Sequence, residues 1–269
     1  MSVKTLKSIQ TADKLFNTGD RPVLVMCSDM QDYVCKYALG GNATNLFCEY
    51  VAASFLRIWK LAVPDFAFVD VNYEHVKHLG LPKHFFDKTC FGSKYSRFYQ
   101  ELTHYTDNPD VKKQKGYLEN RDTLLKIALF DLWLANEDRN YNNLNLLIDV
   151  QNNYNYLPID HGAIFNMRSM DCQLSLLTEN ECLTDVPLMK LLFQNTDFNR
   201  EYVQNLKEYF YLCTLECKNN FDEILNLVPE NWKIDLKVAT HKINNELFEK
   251  SWEAKVINTF LEYINSPFL

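Results

Sequence analysis

Between positions 135 and 165 the chain collects side chains whose types can manage charge: Asp138 and Arg139, then Asn143, then Asp160-His161-Gly162. Asn143 and Asp160 bracket a stretch that reads as two short strands, 144–148 and 154–159, around the turn formers of 149–153. Positions equidistant from an antiparallel turn face one another, so this pattern predicts Asn143 and Asp160 side by side at the open end of a hairpin. Two hard oxygen donors next to a further carboxylate, Asp138, suit Mg²⁺. That ion takes one or two protein carboxylates and completes its octahedron with water and phosphate oxygens. The chemistry such a set serves is phosphoryl transfer, which asks mainly for positioning and charge neutralisation. A lone Asp at a strand end is ordinarily a turn former. It is the whole pattern D-R-x-x-x-N, hairpin, D-x-G that carries the reading.

The elements that must position these residues follow from periodicity. Residues 22–27 and 32–37 read as strands around the turn 28–31, and Gly40-Gly41-Asn42 breaks the second of them. Phe47, Val51, Phe55 and Ile58 recur at helical spacing and predict a helix over 45–60, with Asn42 or Thr44 as its cap. After Pro64, residues 65–71 read as another strand, so the first third is β-β-α-β. The remainder reads mainly helical, over 120–134, 201–217, 221–227 and 244–264, interrupted by the 144–159 hairpin. The expected class is α+β, with a β-rich unit at 1–92 and a helical unit carrying the hairpin at 93–269.

Composition narrows the classes of function. With 47% hydrophobic and 23% charged residues, the 269-residue chain can build a substantial core. A net charge of −7 argues against direct nucleic-acid binding, which needs many cations to neutralise phosphates. The densest basic cluster, Lys112-Lys113-Gln114-Lys115, reads as a solvated loop. No stretch approaches the ~20 apolar residues of a membrane span, since Lys126 and Asp131 interrupt the greasiest run; a cytoplasmic protein is expected. The eight cysteines include no C-x-x-C pair and read as reduced core residues. Cys213 and Cys217 stand one helical turn apart without a second pair of metal ligands nearby.

The element Asp138-Arg139 to Asn143, followed by Asp160-His161-Gly162, resembles the catalytic and metal-binding loops of the HipA-like serine/threonine kinases, in particular their shorter branch. The stretch from Val23 to Val71 and the tetrapeptide from Phe91 to Lys94 are similar to segments of the same family, so the resemblance covers roughly residues 20 to 200. It implies a two-lobed, protein-kinase-like fold with a small β-rich N-lobe and a mainly helical C-lobe. It also implies ATP and Mg²⁺ as cofactors, Asp138 as the catalytic residue, and Asn143 and Asp160 as the metal-holding pair. By the same resemblance Lys36 contacts the nucleotide phosphates, Glu49 pairs with Lys36, and the acceptor is a Ser or Thr hydroxyl of a protein. An antitoxin partner is permitted by the family but not required.

The chain departs from the family pattern in three places. Asn140 stands where a histidine is usual, and His161 replaces the aromatic of a D-F-G motif; as a lone imidazole it reads as packed and hydrogen-bonded. No G-x-G-x-x-G precedes Lys36. Either the phosphate-covering loop is Thr18-Gly19-Asp20, Ser28-Asp29 or Gly92-Ser93-Lys94, or the grip on the nucleotide comes mainly from the metal. Alternatives to an active protein kinase are a pseudokinase binding module and a kinase for a small molecule or lipid. A metal-dependent hydrolase built on Asp138, Asp160 and His161 would recruit more His or carboxylate ligands than the pattern offers.

Overall fold

The computed structural model describes residues 2–102, 119–194 and 196–265. The Lys112–Lys115 cluster lies outside them.

Six strands form one mixed sheet in the order β1-β5-β6-β4-β3-β2. They are β1 (Lys4–Lys7), β2 (Lys14–Leu15), β3 (Val23–Met26), β4 (Asp32–Lys36), β5 (Phe66–Asp70) and β6 (Cys90–Lys94). The β3–β4 hairpin follows the alternation of the sequence, with Val23 opposite Cys35 and Met26 opposite Asp32. β1 and β2 are too short or too polar to show a periodicity, and β1 pairs parallel to β5 only because the intervening chain returns to it. At Gly92 in β6 an added Cβ would lie 2.7 Å from the Val69 side chain and 3.3 Å from Cys35 Sγ, so glycine there lets the sheet close.

Helix α1 (Thr44–Ile58) packs against this sheet and is buried on nearly every face, from Asn45 through Leu56. The Asn42 side chain accepts from the Thr44 backbone N–H and from its hydroxyl, tying down the helix entry. Aromatic contacts join α1 to the rest of the core: Trp59 stacks on Trp133 at 5.5 Å, and Tyr50 donates its hydroxyl to the Ile224 carbonyl at 3.0 Å. The other face of the sheet carries its own cluster, including Val23, Val25, Cys35, Val69 and Cys90.

The later chain is helical around one hairpin. Its helices are α2 (Arg121–Leu134), α3 (Pro187–Phe193), α4 (Arg200–Asn226), α5 (Leu236–Lys242) and α6 (Lys250–Asn265). A π-helical turn, Ile243–Leu247, runs on from α5 and replaces the start of the helix expected over 244–264. The two helices expected at 201–217 and 221–227 are one, α4: the intervening Lys218-Asn219-Asn220 is polar but holds no glycine or proline to stop it. The strands β7 (Tyr99–Glu101), β8 (Leu146–Asp149) and β9 (Asn155–Pro158) form a second, three-stranded sheet in that order. Among the described residues no helix is long and apolar enough to cross a membrane.

Candidate active site

Lys36 ends β4, Glu49 lies on the second turn of α1, and Asp160 follows β9, yet the three side chains converge. The Lys36 ammonium lies 2.5 Å from Glu49 Oε1 and 2.5 Å from Asp160 Oδ1. The side chains of Lys36 and Glu49 are 13% and 5% exposed, so this is an ion cluster largely withdrawn from water. Burial opposes the charge on Lys36, but the two carboxylates outweigh it and hold the lysine well above its ordinary value. Burial pushes Glu49 up to about 7, with Lys36 pulling against it and Asp160 adding to it. Asp160 is also opposed by burial, yet its contact with Lys36 holds it below the usual carboxylate range. Of the two carboxylates, Glu49 is the one burial pushes up and Asp160 the one Lys36 holds down.

Glycine at 162 makes this approach possible. A Cβ there would sit 3.3 Å from Glu49 Oε1, tighter than most side-chain contacts, so any other residue would press the carboxylate away. Asp160 itself has a φ of 59°, a left-handed bend that turns the chain out of β9.

Asp138 and Asn143 meet on the far side of the loop before β8. Asn143 Nδ2 donates to Asp138 Oδ1 at 3.0 Å, and Asn145 Nδ2 donates to the Asp138 backbone carbonyl at 3.2 Å. With its amide nitrogen so occupied, Asn143 keeps its carbonyl oxygen for another ligand. The hairpin register differs by one residue from the expected one. Leu146 pairs with Pro158 and Ile159 N–H reaches the Asn145 carbonyl, which sets Asn143 opposite His161 rather than Asp160. The loop that closes the ladder between Asp149 and Asn155 holds five residues, and Asn153 and Tyr154 adopt positive φ within it.

Arg139 is the residue whose importance sequence reasoning missed. It is fully buried, and its guanidinium reaches Asp131 on α2 at 2.6 Å, the carbonyls of Leu144 and Asn145, the Ile159 carbonyl and His161 Nε2. One planar fork therefore fastens α2, the Asp138–Asn143 loop and the Asp160 turn together. Burial, with Arg139 and Lys36 nearby, pushes His161 well below its ordinary value, so the imidazole is neutral and accepts from Arg139. A signal for this hub was present: Asp131 is an ionisable residue inside an otherwise apolar helix face, which requires a buried partner.

Beyond Gly162 the chain makes a short turn, Ile164–Arg168, in which Phe165, Asn166, Met167 and Arg168 all have positive φ. Asn166 pins it, donating to Glu137 Oε1 at 2.9 Å and exchanging bonds with the Ser175 backbone. Further along, buried Lys242 donates to the Cys172 carbonyl, and Glu246 accepts from the Leu174 N–H at 2.8 Å.

Two of the turns named above lie at opposite ends of the sheet. Val23 pairs with Cys35, so the β2–β3 turn bearing Thr18-Gly19-Asp20 lies at the Lys36 end of the sheet, and the β3–β4 turn with Ser28-Asp29 lies at the opposite end. The Arg21 N–H closes the turn onto the Thr18 carbonyl at 3.1 Å, and Tyr37, next to Lys36, donates to the Arg21 carbonyl at 2.9 Å. Gly92 is used up in sheet packing.

A family model described as HipA-like kinase matches residues 12–260. No curated protein matches the chain. Among solved structures, the crystal structure of a Helicobacter pylori proinflammatory kinase, CtkA, is similar over 96% of this chain and 99% of that one. The TM-score is 0.54 at 14% identity, a likeness of fold. The architecture described above is accordingly an α+β, kinase-like one.

Proposed function

The chain belongs to the HipA-like kinases, and from that premise we propose that it transfers the γ-phosphate of ATP, with Mg²⁺, to a Ser or Thr hydroxyl of a protein. The observation that supports this most directly is the Lys36 ammonium held between Glu49 and Asp160. In this reading the unit 1–92 supplies Lys36, Glu49 and the Thr18-Gly19-Asp20 turn, and the unit 93–269 supplies Asp138, Asn143 and Asp160.

Glu49 fixes the Lys36 ammonium so that it meets phosphate oxygens without searching rotamers. Asp138, half-buried and free of any ion pair among the described residues, takes the proton of the acceptor hydroxyl as its oxygen bonds to the γ-phosphorus and ADP departs. The Asn143 carbonyl oxygen and the Asp160 carboxylate are hard donors that fit Mg²⁺, which when bound neutralises charge between the transferring and leaving phosphates. Among the described residues no three His, Cys, Asp or Glu gather as a self-sufficient metal cage, in keeping with an ion that relies on phosphate oxygens. A cytoplasmic setting and an antitoxin-type protein partner belong to the same reading and rest on family resemblance.

The test is transfer of labelled γ-phosphate to candidate protein acceptors, beside a thermal shift with Mg-ATP. Ligand at about 100 times its Kd stabilises by about 2.7 kcal/mol. A wild-type melting temperature indifferent to saturating Mg-ATP overturns the nucleotide assignment. A shift without transfer to any acceptor favours a pseudokinase.

A further inference from the structure

Away from the Lys36 cluster, a cleft of about 480 Å³ opens where the loops of the large sheet meet the C-terminal helices. Its walls include Gly41 and Thr44 at the start of α1, Lys88 before β6, Met170 from the segment after Gly162, Lys233 before α5 and Val238 within it. None of the residues placed in the candidate active site lines it.

Two ammonium groups border this space. Lys88 Nζ donates to the Trp232 carbonyl at 3.0 Å, which brings it next to Lys233. Burial, and to a lesser extent the Lys233 charge, hold Lys88 below its ordinary value. Among the described residues neither has an ion-pair partner. The single carboxylate on the wall, Asp235, spends Oδ1 on the N–H groups of Lys237 and Val238. The positive end of α1 borders the same cleft, with no acidic residue in its first turn. Met170 and Val238 make the remaining surface apolar.

From this juxtaposition we infer that the cleft binds a phosphate monoester, its oxygens between Lys88 and Lys233 and its organic part against Met170 and Val238. The inference stands independently of the proposed kinase activity. It bears on that site all the same, because α1 runs from the cleft to Glu49. The same chemistry arises from a free metabolite and from a phosphoserine of this chain, and Ser169 immediately precedes Met170 in the sequence.

Isothermal titration of the full chain with phenyl phosphate, before and after phosphatase treatment, tests this. One equivalent should bind. Losing one charge-assisted hydrogen bond in Lys88→Gln or Lys233→Asn should weaken it about ten- to a hundredfold. Asn tolerates the left-handed φ of 53° at position 233, so that variant keeps its fold even if Lys88→Gln does not. Lys88→Arg should restore affinity, inorganic phosphate should bind more weakly than phenyl phosphate, and folded Lys36→Met, though impaired in transfer, should bind phenyl phosphate with wild-type affinity. Equal binding before and after phosphatase marks a free ligand. Binding seen only afterwards, with one phosphate lost from the Ser169 peptide, marks the chain's own phosphoserine. No binding in either state overturns the inference, as does binding lost in Lys36→Met and kept in both lysine variants of the cleft.

Discussion

The Arg139 guanidinium meets the Asp131 carboxylate at 2.6 Å, and neither side chain is more than 3% exposed. Burial raises Asp131 above the usual carboxylate range, and the contacts with Arg139 and Asn136 pull against it. Removing the guanidinium leaves a buried carboxylate with Asn136 alone and takes their side-chain donor from the Leu144 and Ile159 carbonyls. Arg139→Ala should destabilise the protein by about 3–5 kcal/mol, read as a lowered urea midpoint. Arg139→Lys should recover little of it, because a single ammonium cannot replace a planar fork. A midpoint unchanged in Arg139→Ala would contradict the hub.

Lys36→Met should cost stability as well as phosphate transfer. It strands Glu49 and Asp160 together, a loss of about 3 kcal/mol that protonation of Glu49 partly relieves. The double variant Lys36→Met/Glu49→Gln should be more stable than Lys36→Met alone, and the difference should grow with rising pH as Glu49, raised further once Lys36 no longer holds it down, loses its proton. The sign follows from Glu49 being raised in the folded state: the proton it holds stabilises the fold below the ordinary carboxylate range, and that contribution is gone above its folded value. Additive losses at every pH would separate the two residues.

Asp138→Asn should abolish transfer while sparing the fold. The substituted amide still touches Asn143 and Asn145 but trades an acceptor for a donor, at a cost of about 1 kcal/mol. Loss of a general base lowers turnover by about 10²–10⁴. Retained turnover with an unaltered pH profile would remove Asp138 from the reaction.

His161 should stay neutral in acid. Because its folded value lies well below 6.5, the unfolded chain takes up a proton there that the folded one refuses, and stability declines as pH falls through that value. Imidazole resonances of His161 that follow pH between 7 and 5.5 would refute the buried contact with Arg139.

How much of this was legible from sequence depended on separation along the chain. The Asp138, Asn143 and Asp160 motif, the β3–β4 hairpin and α1 showed themselves through local spacing and periodicity. The contact of Lys36 with Asp160 spans 124 residues, and no local pattern encodes it; only family resemblance brought them to one site. The hairpin was found but its register slipped by one, because a five-residue loop centres one half-step later than the turn formers suggested. β1 escaped notice because a four-residue edge strand with one buried side chain has almost no alternation to read. Arg139 looked like part of a motif and proved to be the pin of three elements, a role set by burial that spacing does not disclose.

The turn at 164–168 carries a further consequence. Each L-residue held at positive φ costs on the order of 1–2 kcal/mol, and four stand in succession there. Their combined tension rivals a large part of the net stability of an ordinary domain. It is wound into the same short run of chain as Asp160, and the contacts of Asn166 keep it from unwinding. A Met167→Gly exchange would slacken this spring without removing a polar contact. The pose of Asp160 is thus sensitive to residues that never touch it.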